Sequence, residues 1–167
     1  IDTEEEWDWS GPFPQQVANV QNIDKLPAFN TLCENLGIRP TYFVDYAVAD
    51  NDNAVQQMLT FTANGNCEIG AHLHPWCNPP YFGEVGEAES HVVNLPVEHV
   101  SQKLDALMAS IETAFGTKPK SFRTGRWGID KNVMDLLVKS GITIDSSVYP
   151  FYENEYFSCS GASNLPY

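Results

Sequence analysis

The stretch Cys67-Glu68-Ile69-Gly70-Ala71-His72-Leu73-His74-Pro75-Trp76 decides how the rest of the chain is read. Its apolar-leaning first half reads as a short strand. Two histidines follow, one residue apart, and Pro75 stiffens the chain behind them. Neutral imidazole is the commonest metal ligand at ordinary pH. Two imidazoles at the end of a strand therefore read as half of a metal site. Taken alone, the pair reads equally well as a surface loop that carries two histidines.

Working outward, the segments around this stretch alternate. Ile1 reads as the end of a strand, which puts Asp2 and Glu4 at its C-terminal mouth, pointing the same way if the chain stays extended. The pattern predicts a helix over Asp24 to Leu36, capped by Asp24, with Pro27 in its first turn and Leu26, Phe29, Leu32, Cys33 and Leu36 as its buried stripe. Arg39 to Asp45 reads as a strand, and Asn53 to Ala63 as a helix with Val55, Met58, Leu59 and Thr62 on one face. After the histidine strand comes a long insertion, Trp76 to Pro96. Its Trp76, Tyr81 and Phe82 either wall a sugar-binding cleft or pack the loop onto the body. His91 within it reads as a bystander. Val97 to Phe115 is the longest helix, closed by Gly116, with His99 off its apolar stripe and solvated. Ser121 to Gly128 reads as a short strand running into a glycine-rich turn. Asp130 caps a helix carrying Val133, Leu136, Leu137 and Val138, and Ile142 to Asp145 is the next strand. Strand and helix in alternation imply parallel strands joined by right-handed crossovers.

Composition narrows the partners. Nine basic residues face twenty-two acidic ones, a net charge of -13. Such a chain repels phosphate backbones and anionic lipid, so nucleic acid is excluded as an expected partner and a metal or a neutral or cationic ligand is favoured. No apolar run is long enough to cross a bilayer, and no signal-peptide pattern is present. The chain opens at Ile1 rather than Met, so its true start is read as removed. Cys33, Cys67, Cys77 and Cys159 form no Cys-x-x-Cys pair, which rules out a zinc ribbon. Cys33 and Cys67 read as buried small residues; Cys77, close to the histidines, reads as buried or as a thiolate ligand.

Every suspect side chain falls just after an expected strand. These are Asp2 and Glu4, His72 and His74, Arg123 to Trp127, and Asp145. In βα-repeat folds such positions share one face, where active sites gather. Two imidazoles and a carboxylate around a divalent cation leave positions open for water and substrate, as in metal hydrolases. One carboxylate of the first pair would ligate and the other would take a proton. Arg123 and Asp145 form either a pair that holds this base or a structural salt bridge between neighbouring strands.

Asp2-Thr3-Glu4, Glu68-Ile69-Gly70-Ala71-His72-Leu73-His74-Pro75, Phe122-Arg123-Thr124-Gly125-Arg126-Trp127-Gly128 and Ile144-Asp145-Ser146-Ser147 occur in that order. Together they resemble the four leading motifs of the polysaccharide deacetylase family, also called the NodB homology domain or carbohydrate esterase family 4. The resemblance spans nearly the whole chain as one domain, 1-167. It implies an α/β fold, a distorted (β/α) barrel, incomplete here at one or both ends because too few strands are found. It implies a divalent metal, usually zinc, and removal of N-acetyl groups from an amino-sugar polysaccharide such as chitin or peptidoglycan. Carried over, Glu4, His72 and His74 are the ligands, Asp2 the base, Arg123 its orienting residue and Asp145 the partner of Arg123. Trp76, Arg126 and Trp127 face substrate, with backbone N–H groups near Arg126 and Trp127 taking the oxyanion. Three departures stand out. The histidines are spaced His-x-His rather than His-x-x-x-His. The first motif is Asp-x-Glu rather than adjacent aspartates, so Asp2 and Glu4 could exchange roles. The family's late histidine has no counterpart, since His99 is the last in the chain. The alternatives are a non-catalytic carbohydrate-binding or scaffold domain, or an amidase for a small molecule.

Overall fold

The structure, a computed structural model, describes residues 1–15 and 19–163. Five strands form one parallel sheet in the order β1-β2-β3-β4-β5: Asp2–Thr3, Thr41–Val44, Glu68–Leu73, Ser121–Thr124 and Ile144–Asp145. The helices between them are α1 (Leu26–Asn35), α2 (Tyr46–Ala49), α3 (Asp52–Thr62), α4 (Val97–Phe115) and α5 (Lys131–Lys139). Each new strand is added on the same side as the last. The expected α/β architecture with parallel strands is therefore present, as an open arc among the described residues.

Strand parity sorts the side chains into two layers. Tyr42 and Val44 of β2, Ala71 and Leu73 of β3 and Phe122 of β4 join one buried core with Met58 and Phe61 of α3, Leu104, Leu107 and Ile111 of α4, and Val133 and Leu137 of α5. The alternate positions, Phe43, Gly70, His72, Ser121 and Arg123, face the other way. On this second face the sheet is concave. Arg123 on β4 reaches Asp2 on β1 at 2.7 Å. Those strands are three spacings apart, about 14 Å across a flat sheet, too far for the two side chains to meet. Gly70 makes room for the crossing. A Cβ there would lie 2.7 Å from the Phe43 ring, and that ring carries the Arg123 guanidinium at 4.6 Å.

Several expectations about elements change. The strand does not end at Ile1 but continues through Thr3, because the Phe43 N–H donates to the Ile1 carbonyl and the Asp45 N–H to that of Thr3. The first helix is split into a 3-10 turn, Gln21–Lys25, and α1, so Asp24 is not its cap. Of its expected stripe, Cys33 is buried and Leu26 packs partly buried against the core, but the other three are exposed. Phe29, Leu32 and Leu36 are 41%, 53% and 63% exposed. α1 packs against α3 and the 3-10 turn, and only Asn30 and Cys33 are fully buried; the Tyr42 hydroxyl of β2 donates to Asn30. Val138 of α5 is 73% exposed, while Val133 and Leu137 are fully buried and Leu136 packs partly buried against the core. Cys67 is half-buried rather than buried, and all four cysteines are free. α4, β4 and the Asp130 cap, which accepts from the Val133 N–H at 2.8 Å, stand where the pattern puts them.

The 76–96 insertion is pinned from beneath by α4. Lys103, on the buried stripe of that helix, donates to the carbonyls of Pro75 (2.8 Å), Asn78 (2.5 Å) and Pro80 (2.8 Å). Burial lowers its ammonium to about 8. Replacing it with Met leaves three carbonyls without their donor. Lys103→Met is expected to lower stability by about 2–3 kcal/mol in urea unfolding, since each orphaned buried acceptor costs of order 1 kcal/mol or more.

Candidate metal centre

β3 delivers both imidazoles to the concave face. His72 is the fifth residue of the strand, and His74 follows its last residue, Leu73. Both rings are fully buried, with centroids 4.7 Å apart. From β1, Glu4 brings its Oε2 to 2.9 Å from His72 Nε2 and 3.1 Å from His74 Nε2. The sequence expectation that acidic groups from the chain's beginning meet imidazoles from its middle is thus met in space. One ligating atom from each of Glu4, His72 and His74 lies within 4.8 Å of the others.

The outer ring nitrogens decide what these three atoms need. His72 Nδ1 faces the Arg123 carbonyl at 3.1 Å, and a carbonyl only accepts. Nδ1 therefore carries the proton and Nε2 the lone pair. His74 Nδ1 faces both oxygens of Glu5, at 3.0 and 2.8 Å, and is likewise a donor. His74 Nε2 is buried and, despite its closeness to Glu4, makes no hydrogen bond among the described residues. Two bare nitrogens and a carboxylate oxygen that face one another require a proton or a cation between them. Two nitrogens and one oxygen suit zinc, and carboxylate- or carbonyl-bonded histidines are its usual ligands. The residues present fit the expected ion.

Charge follows the same geometry. Burial would raise the Glu4 carboxyl, but His72 and His74 outweigh it and hold the group at about 2. Burial lowers His72 below the ordinary imidazole value. For His74 burial acts in the same direction, but the Glu5 carboxylate overrides it and raises the ring well above that value. Burial also lifts Asp45 well above the carboxylate range, aided by Glu5.

Close packing fixes the ring of His74. A Cβ on Gly125 would lie 1.9 Å from its Cδ2, so only glycine fits in the turn after β4. On its other side the Trp76 ring stacks at 4.3 Å, and the Trp76 indole N–H donates to Glu5 at 2.7 Å. Trp76 is fully buried among Trp7, Trp9 and Phe13. It is therefore not the substrate-facing residue expected; its neighbour Phe82 is partly exposed and stacks on His99 at 3.7 Å.

Arg123 and Asp145 do not pair with each other. The guanidinium donates to Asp2 Oδ1 at 2.7 Å, and to the Ser146 hydroxyl at 2.8 Å and carbonyl at 3.2 Å. Asp145 instead accepts from the Ser147 hydroxyl (2.6 Å) and N–H (3.0 Å). The cause is register: Asp145 aligns with Phe122, one residue before Arg123, and so has the opposite parity. Arg126 is held by Glu87 at 2.8 Å and Ser90 at 2.9 Å. Trp127 is 39% exposed, sits at φ 59° and lies 5.3 Å from the Arg123 guanidinium. His91 is buried against Tyr156 at 4.9 Å, away from the three ligand atoms. Glu5 is the residue that sequence reasoning missed. Its parity is opposite to that of Asp2 and Glu4, but His74 lies beyond the strand end and comes within its reach. The one available signal was a third carboxylate, two residues before Trp7.

No protein-family model matches the chain, and no curated protein matches its sequence. Solved structures do. The chitin deacetylase of the fungal pathogen Colletotrichum lindemuthianum superposes with a TM-score of 0.53 at 17% identity, covering 87% of this chain and 53% of that one. The fold is that of the polysaccharide deacetylases. IcaB from Ammonifex degensii gives 0.57 at 17% identity over 72% of this chain and 53% of that one. A carbohydrate esterase family 4 pseudoenzyme from Bacillus anthracis gives 0.55 at 16% identity, over 81% and 44%. At such identities the likeness is one of fold, and the chain spans about half the length of these solved chains.

The raised His74 pKa sets a sign. Its extra proton must leave before Nε2 can bind an ion, so metal competes with protons at this ring. Zinc affinity is expected to rise with pH from 6 to 8, by up to about tenfold per unit, with proton release visible when calorimetry is repeated in buffers of different ionisation enthalpy. An affinity that is flat with pH would contradict the tautomers described.

Proposed function

We propose that this domain, 1-167, is a metal-dependent hydrolase that removes N-acetyl groups from an amino-sugar polysaccharide of the chitin or peptidoglycan kind. The observation that carries the reading is the meeting of Glu4, His72 and His74 next to a base, Asp2, already held by Arg123. Glu4, His72 and His74 would hold the divalent ion, with zinc favoured by the donor set. Such an ion supplies Lewis acidity toward the amide carbonyl.

The chain's own residues do the rest. Asp2 takes a proton from the attacking water. Arg123 holds Asp2 aimed at the concave face, and the Arg123 chain is braced by Ser146 and by the Phe43 ring. Asp145 acts indirectly, fixing through Ser147 the loop whose Ser146 holds Arg123. Trp127, exposed beside Arg123, offers a sugar-stacking face, and Arg126 with the backbone of this turn borders the oxyanion position.

A second reading has its own support. His99 is the last histidine in the chain. A Bacillus anthracis neighbour with this fold is a pseudoenzyme of which a mutant with restored activity also exists. A carbohydrate-binding domain that keeps the fold would look like this.

Zinc-loaded protein is expected to release acetate from chitin oligomers or peptidoglycan fragments. Asp2→Asn should lower kcat by about 10²–10⁴-fold while leaving zinc bound. Saturable sugar binding with no acetate from the wild-type chain would favour the binding domain instead.

A further inference from the structure

We propose that Glu5 is the positioning residue that orients His74 for metal binding, with Trp76 and Asp45 holding Glu5 in place. The proposal rests on the metal reading above and adds to it a residue outside the ligand set.

The two imidazoles are oriented by different devices. His72 lies within β3, and its Nδ1 is fixed by a backbone carbonyl, that of Arg123. His74 lies past the strand end, where ladder register no longer sets the ring. A side chain does this work there: Glu5 Oε1 and Oε2 both accept from His74 Nδ1, at 3.0 and 2.8 Å. A carboxylate in this position fixes the tautomer and makes the far nitrogen a stronger ligand.

Glu5 is itself fully constrained. Trp76 donates its indole N–H to Oε1 at 2.7 Å and lays its ring along His74 at 4.3 Å. The Glu5 backbone N–H donates to Asp45 Oδ2 at 3.2 Å, while Asp45 Oδ1 accepts from the Val48 N–H at 2.8 Å at the start of α2. One buried assembly thus ties the ends of β1 and β2 to the second ligand of β3. The short His-x-His spacing depends on it, because both rings must aim at one point although only the first is held by the strand. Glu5 points away from the concave face and is buried, so it touches neither substrate nor the reacting atoms.

Glu5, Asp45, His74 and Cys77 also bring ligating atoms within 4.8 Å of one another. Their carboxylate oxygens and His74 Nδ1 are already engaged with donors or acceptors of the protein, so this group is read as a brace and not as a second cation site.

The test is zinc titration of the full chain, its Glu5→Gln variant and its Trp76→Phe variant, each checked for native circular dichroism and thermal unfolding, with cobalt absorption spectra recorded alongside. Glu5→Gln is expected to weaken zinc by about 10–100-fold and to alter the cobalt spectrum while remaining folded. Trp76→Phe, which keeps the carboxylate and loses its indole donor, should weaken zinc by a smaller factor; if Glu5→Gln does not fold, this variant decides. Unchanged zinc affinity in the folded variants overturns the proposal and leaves the metal reading intact. A second zinc equivalent that disappears in Cys77→Ser also overturns it, since Glu5 would then be a ligand. Failure of the wild-type chain to bind zinc at all overturns both.

Discussion

Three atoms that cannot satisfy one another sit at the centre of this molecule. His72 Nε2, His74 Nε2 and a Glu4 oxygen face a common point, and only a proton or a cation between them relieves the conflict. The surrounding structure maintains that conflict. A backbone carbonyl and a buried carboxylate take the outer protons of the rings, and Gly125 and Trp76 clamp the second ring. Such an arrangement is costly for a bare protein and favourable once a cation enters, which is the electrostatic logic of a metal centre.

The concavity of the sheet supplies the rest of the site. Arg123 and Asp2 come from strands at nearly opposite ends of the arc, and they meet because the sheet curves and because Gly70 leaves a channel for the guanidinium over Phe43. A glycine that reads in sequence as a strand ending serves in space as a gap in the lining of the concave face. Asp2 and the Glu4, His72 and His74 cluster thus converge through the same curvature, so a change at Gly70 or Phe43 would reach the site without touching any of them.

Much of this was legible beforehand, for physical reasons. Parity placed Asp2 and Glu4 together, and strong helical periodicity placed α4 from its first residue to its last. Other features were not legible. The stripe of α1 was read as buried because periodicity reports which residues share a face and not whether anything lies against it; Phe29, Leu32 and Leu36 of that stripe are exposed. For Trp76 the sequence leaves open a sugar-facing or a packing role; an indole whose N–H has a buried carboxylate to bind is more stable inside, and it packs. Arg123 was given Asp145 by strand adjacency, yet register gave those two residues opposite parity. Glu5 was passed over for the same reason parity succeeded elsewhere: alternation holds only while the chain is extended, and His74 lies where it ends.

The most direct measurement is anomalous diffraction at the zinc edge from crystals of the zinc-soaked protein. The account predicts one strong peak bonded to His72 Nε2, His74 Nε2 and a Glu4 oxygen, each at about 2.0–2.2 Å, with Glu5 still on His74 Nδ1. A peak on Glu5, Asp45 and Cys77 instead, or none at all on the concave face, would contradict it.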